Sequence, residues 1–196
     1  MQLPFVEVEI VYDEILGFFT QRRSIRSYQD KLVEEEKIQI ILEAAMSAPS
    51  ACNTQPWEII VTQDQSVLEE IREALPMARY HPPCAITVCA NTDLCRNTKQ
   101  MWVQDCSAAM QNILLAATAL GLGSLWIGVY GVEPFVRKVS AVMNLPEHVV
   151  PLGIAYIGYA NEAKEPRTQY NEKRVYREKY DLTRKHKARP KNLKHR

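Results

Sequence analysis

The sequence lacks the cysteine spacing of a metal site. Its five cysteines, Cys52, Cys84, Cys89, Cys95 and Cys106, are odd in number and include no Cys-x-x-Cys pair with accompanying histidines, which argues against a zinc centre and a full disulfide framework. Reduced thiols of a cytoplasmic protein are the expectation. Histidine is sparse: His81, His148, His186 and His195 are scattered, two of them in the last thirteen residues. No Ser-His-Asp set emerges, and His81, just before Pro82-Pro83, reads as a loop residue rather than a general base. No side chain is therefore assigned an acid, base or nucleophilic role, and no metal is expected. A membrane-length apolar run is also missing, because the most apolar stretch, Met101 to Leu120, contains Gln104, Asp105, Gln111 and Asn112 and reads as a buried core helix. The first residues, with Glu7, Glu9 and Asp13, have neither the basic leader nor the apolar core of a signal peptide. There is no internal repeat, no regular βαβ alternation, and no dinucleotide fold with its own ribose-reading acid.

What is present is a 196-residue chain with 46% apolar and 24% charged residues, enough for one domain with a sizeable core. The net charge of +1 hides an asymmetry. Residues 184–196 carry seven Lys or Arg and no acid, leaving 17 basic against 23 acidic residues, a net −6, for the rest. Residues 1–183 are expected to form the domain, and 184–196 a disordered basic tail that serves solubility more readily than a nucleic-acid contact.

Hydrophobic spacing predicts a helix from Val33 to Ala48, with Glu34, Glu35 and Glu36 in its first turn and Pro49 as its stop. Trp57–Thr62 reads as a strand, Ser66–Leu75 as a helix capped by Ser66, and Ala85–Ala90 as a buried strand. After the Met101–Leu120 helix, Gly121 and Gly123 break the pattern before a strand at Leu125–Val129; Glu133-Pro134 opens a further helix, and Leu152–Tyr159 is the last core strand. This irregular mixture favours an α+β sandwich over a doubly wound sheet.

Two segments carry the chemistry. Arg22-Arg23-Ser24-Ile25-Arg26-Ser27-Tyr28 packs three guanidinium groups and a hydroxyl into five residues, which suits either a phosphate-like dianion or a solvated helix end. Ala48-Pro49-Ser50-Ala51-Cys52-Asn53-Thr54-Gln55-Pro56-Trp57 is a loop stiffened by two prolines and dense in donors and acceptors. It suits gripping a heteroaromatic edge, or serves simply as a helix-to-strand connection.

The first motif, the Pro-Ser-x-x-Asn-x-Gln-Pro-Trp loop about thirty residues on, and Leu120-Gly121-Leu122-Gly123 before a strand together resemble the FMN-dependent nitroreductase family, from about Tyr12 to Tyr180. The resemblance implies an α+β nitroreductase-like sandwich: a central mixed, mostly antiparallel sheet flanked by helices, with a C-terminal arm at Tyr170–Tyr176 exchanged in a homodimer. It implies FMN at the subunit interface and NADH or NADPH as reductant, with hydride passing through flavin N5 to a nitro, quinone or activated-alkene acceptor and protons coming from solvent. Arg22, Arg23, Ser24 and Arg26 would hold the phosphate and reach the pyrimidine side of the ring. Arg167 would return to the phosphate, or sit in water as a loop arginine. Pro49, Ser50, Ala51, Cys52 and Asn53 would line the partner's flavin, with Gln55 at the ring edge and backbone N–H groups of Gly128 and Val129 near N5 and O4. Cys52 is expected as a small buried packing residue rather than a redox participant. The alternatives are a superfamily flavoenzyme of different chemistry, a reductive dehalogenase or a flavin-remodelling enzyme, or a non-catalytic flavin-binding sensor. Those flavoenzymes usually carry an inserted lid; only about ten residues separate Ala90 from Met101, where one common insertion falls, which argues for a small open pocket.

Overall fold

The structure, a computed structural model, describes residues 12–95, 98 and 100–183. Five α-helices and four strands alternate irregularly: α1 (Tyr12–Gln21), α2 (Glu35–Met46), β1 (Trp57–Thr62), α3 (Gln65–Ala74), β2 (Cys84–Asn91), α4 (Trp102–Ala119), β3 (Gly123–Gly128), α5 (Glu133–Val142) and β4 (Val149–Gly158). The strands form one sheet in the order β1-β2-β4-β3, and every strand pair is antiparallel. The one parallel pairing among the described residues is an isolated bridge between Ser24 and Ser124.

Because side chains alternate across a strand, the central strands β2 and β4 feed two cores. Ile86, Val88, Ala155 and Ile157 pack with Ile38 and Ile41 of α2 and with Met110 and Ile113 of α4. Ala85, Ile154 and Tyr156 pack with Leu68 and Ile71 of α3 and Val139 of α5. Helices therefore cover both faces, and β2 and β4 read as nearly continuous apolar runs because both their faces are buried. This is the α+β sandwich expected from the sequence.

The differences are local. α2 starts two residues later than its apolar pattern suggests, because Glu34 is extended (φ −64°, ψ 142°). The cap of α3 is Asp64 rather than Ser66: the Asp64 carboxylate accepts from the N–H groups of Ser66 and Val67 and from the Ser66 hydroxyl. A first compact unit runs through Pro166 and a second starts at Arg167. The described part of the second, 167–183, contains no strand; the expected arm at Tyr170–Tyr176 holds a single 3-10 turn, Glu172–Arg174, capped by Asn171. The basic tail expected at 184–196 lies outside the described residues.

Candidate active site

The cationic segment leaves α1 in an extended conformation and lies along the free edge of β3. The Ile25 N–H donates to Ser124 O at 2.9 Å, and the Ile25 side chain is buried. Close approach is possible because residue 123 is glycine: a Cβ there would fall 2.9 Å from Ile25 side-chain carbons. The second Gly of the Gly-Leu-Gly turn thus has a packing reason. On its other side the segment is laced to the chain leaving β4. Gln29 N–H donates to Tyr159 O (2.8 Å), Asn161 N–H to Ser27 O (2.9 Å) and Arg26 N–H to Glu162 Oε1 (2.5 Å). Lys164 Nζ donates to Ser24 O (2.6 Å) and to Glu162 (3.0 Å), and Arg23 Nη1 donates to Glu165 O.

This lacing leaves a cavity of about 130 Å³, lined by Gln21, Arg23, Thr118, Gly121, Ala160 and Lys164 among others; at about 30 Å³ per water it has room for a group the size of a phosphate. Arg23 and Lys164 supply its cationic wall. Glu162 sits beside it, and although burial raises its carboxyl pKa, the Arg26 N–H and the Lys164 ammonium outweigh that and hold it below the usual range. Of the residues expected around a phosphate, Arg23 faces this cavity. Ser24 is tied into the bridge to β3, and exposed Arg26 turns its guanidinium to 6.0 Å from the Tyr80 ring centroid. Arg22 is half-buried next to them. Lys164 was missed by motif reading; its signal is its place in Lys164-Glu165-Pro166-Arg167. Exposed Arg167 opens the second unit.

The proline-bracketed loop stands at the other edge of the sheet. Ser50 is extended, Ala51–Asn53 form one 3-10 turn, and Cys52, Asn53 and Gln55 adopt left-handed φ values of 52°, 54° and 46°. Asn tolerates that region; Cys and Gln rarely adopt it. Internal hydrogen bonds hold the shape: Asn53 N–H to Ser50 O (3.0 Å), Thr54 N–H to Ala51 O (3.1 Å) and Gln55 N–H to Ser50 Oγ (2.9 Å). Pro49, Cys52, Asn53 and Gln55 are exposed, whereas Ser50 and Ala51 are half-buried. Cys52 is therefore not the packing residue expected, because the left-handed turn sends it outward. The other four thiols are buried, and burial pushes those of Cys84, Cys89 and Cys106 up to about 12.

The two segments do not meet within one chain. Along β4, the row of Ser24 and Ser124 passes through Ile157, while the row of Trp57 and Ala90 passes through Val150. Seven residues along the strands and four strand spacings across them amount to roughly 30 Å, more than a mononucleotide spans.

At the far end of β3 the backbone is open. Val129 is fully buried and its N–H donates to Leu152 O at 3.1 Å, so Val129 is not the free donor expected of it. Alternation along an antiparallel strand then turns the backbone groups of Ser124, Trp126 and Gly128 away from β4, toward the edge. Gly128 is exposed, and a Cβ added there would meet nothing within 4 Å. No group of His, Cys, Asp and Glu among the described residues can hold a metal ion, and none of their helices is long and apolar enough to cross a membrane.

The model of the nitroreductase family matches residues 19–79 and 80–159, which takes in the cationic segment, the proline-bracketed loop and the Gly-rich turn. The chain belongs to the nitroreductase family. Among its family relatives is an Archaeoglobus fulgidus protein with the provisional name NADH dehydrogenase/NAD(P)H nitroreductase, 42% identical over 173 residues, covering 86% of this chain and 99% of the relative. An FMN reductase [NAD(P)H] of Bacillus subtilis is 27% identical, covering 87% of this chain and 78% of the relative. Among solved structures, an FMN-dependent nitroreductase from Clostridium difficile superposes with a TM-score of 0.78 at 31% identity, covering 84% of this chain and 99% of that one.

Proposed function

We propose that this nitroreductase-family chain is a homodimeric oxidoreductase that binds FMN between its subunits and uses NADH or NADPH to reduce a small electrophile, a nitro compound, quinone or activated alkene. The observation that carries the reading is the separation of two binding-type half-sites, a cationic cavity at one sheet edge and a left-handed polar loop at the other. Neither encloses a ligand alone, and a two-fold partner brings one of each together twice. Ile15, Leu16 and Phe19 on α1 and Ile40 and Met46 on α2 are exposed, apolar side chains of the kind a second copy covers.

The residues present fit FMN. Arg22, Arg23 and Lys164 suit the phosphate dianion, with Arg167 as a further candidate, because charge-assisted bonds to guanidinium and ammonium groups are the strong ones. Ser24 and Arg26 continue this donor set toward the ring. Gly128 offers an N–H with no side chain in the way, while Ser50, Asn53 and Gln55 of the partner subunit offer polar atoms to the ring edge. Pro49, Ala51 and Cys52 shape the loop that carries them. When bound, FMN would supply the redox chemistry, hydride transfer between nicotinamide and acceptor. The protein's part is to bind, to orient and to leave one face accessible; no described side chain acts as acid or base.

The test is the visible spectrum of the purified protein before and after anaerobic addition of NADH or NADPH. A flavin band that bleaches with either supports the reading. A bound flavin inert to both favours a flavin-binding sensor, and a colourless protein without affinity for FMN refutes both.

A further inference from the structure

Asp105, in the first turn of α4, is the one charged residue buried among the described residues. It is 6% exposed, its Oδ1 accepts the Ala51 N–H at 2.9 Å, and its Oδ2 has no hydrogen-bond partner among the described residues. Burying a carboxylate is costly unless it is well paired, yet here the pairing goes to one backbone amide of the proline-bracketed loop. Two turns further along α4, Asn112 Nδ2 donates to Ala44 O at 2.8 Å, near the end of α2. Residues seven apart lie on one helical stripe, so α4 grips both ends of the 44–51 segment with two polar side chains.

The loop depends on that grip. The other hydrogen bonds within 50–55 among the described residues link its own members. They set the turn but do not fix it to the body of the fold. Left-handed non-glycine residues persist where surrounding structure supports them; the internal bonds set this turn, and among the described residues the Ala51–Asp105 bond is the hydrogen bond that ties it to the body of the fold.

We infer that Asp105 is a positioning residue: its buried carboxylate anchors the 50–55 loop, and through it sets how Ser50, Asn53 and Gln55 grip the flavin. This rests on the FMN reading above. The test is a double-mutant cycle of Asp105→Ala and Ala51→Pro in the full-length protein, with FMN affinity measured by flavin fluorescence, the shape of the bound flavin band recorded, and dimer mass as a control. Ala51→Pro removes the donor from the loop side and leaves α4 intact; it is compatible with an extended Ser50 and the first position of a 3-10 turn. Each single variant is expected to raise the Kd for FMN roughly tenfold or more, as for a hydrogen bond to a charged group, and to alter the band. The double variant is expected to be no worse than the weaker single. Unchanged affinity and spectrum in Asp105→Ala, or strictly additive losses, would overturn the inference. If Asp105→Ala does not fold, Ala51→Pro decides alone, and wild-type affinity in it overturns the inference. A wild-type protein that binds no FMN refutes the flavin reading instead, and amide exchange at Ala51 then decides the anchor. Faster exchange in Asp105→Asn supports it; exchange unchanged from wild type contradicts it.

Discussion

Gly128 and Gly153 are register partners across β3 and β4, and the same substitution at each should separate binding from folding. At Gly153 a Cβ would fall 2.7 Å from Trp126 Nε1 and 2.8 Å from the Ile127 carbonyl oxygen. The indole can shift, but the carbonyl belongs to the paired strand and cannot. Overpacking of that kind costs about 1–3 kcal/mol, and at roughly 2–4 °C per kcal/mol for a chain of this size Gly153→Ala should lower Tm by about 2–12 °C. At Gly128 the added methyl meets nothing, and a glycine-to-alanine change that the backbone accepts stabilises by about 0.4–1 kcal/mol. Apo Gly128→Ala should therefore melt at or slightly above the wild-type temperature. Its FMN affinity should nevertheless fall about tenfold, equivalent to about 1.4 kcal/mol, because the methyl occupies the space through which a ligand reaches the edge-facing N–H. Differential scanning fluorimetry of the apo proteins and fluorescence titration with FMN measure the two quantities. A Gly128→Ala protein that binds FMN as tightly as wild type would refute the assignment of that edge.

Lys164→Met should weaken FMN binding by about 1.5–3 kcal/mol, the range for a hydrogen bond to a charged group, without loss of fold; equal affinity on titration would remove Lys164 from the site. Alkylation at neutral pH should modify one thiol, Cys52, at a rate slowed by FMN, since the other thiols are buried; mass spectrometry of Cys52→Ser should then show no label. Stability should fall in acid. Hydrogen bonds from the Tyr159 hydroxyl, then its own backbone and Lys31, hold the Glu34 carboxyl at about 2 against an ordinary 4.5. The native state thus binds fewer protons than the unfolded chain between those values, and the contribution present above 4.5 is lost as pH falls toward 2. Tyr159→Phe should flatten that part of the Tm-against-pH curve, and an unchanged slope would contradict the assignment.

Much of this was legible in the residues. β1 matched its apolar and β-branched run to the residue, α4 followed its periodicity to within a residue at each end, and α5 opened at Glu133 as expected, because both faces of the sheet are covered and hydrophobic spacing maps directly onto burial. Caps were harder. Asp64 and Ser66 are both good capping residues, and only backbone geometry shows that Asp64 holds the helix start while Ser66 donates to it. The site was legible as motifs but not as a place. Nothing local in Ala51-Cys52-Asn53 reports a left-handed turn that turns Cys52 outward, and nothing in Gly128-Val129 tells which N–H the neighbouring strand has taken. Lys164 escaped because its relation to Ser24, 140 residues away, is made by tertiary lacing. Asp105 entered the sequence reading only as a polar interruption of an apolar helix; its contact with Ala51 spans 54 residues.

The central claim is that one site is built from opposite edges of two copies of the same sheet, and subunit complementation tests it most directly. Arg22→Glu should spoil the cationic half and Ser50→Trp the loop half, so each homodimer should bind no FMN. Refolded together in equal amounts, half of the dimers should be mixed, each with one undamaged site, and FMN binding should return to about a quarter of the wild-type stoichiometry, as an isologous two-fold interface requires. No recovery in the mixture, with mixed dimers confirmed by native mass spectrometry, would contradict the account.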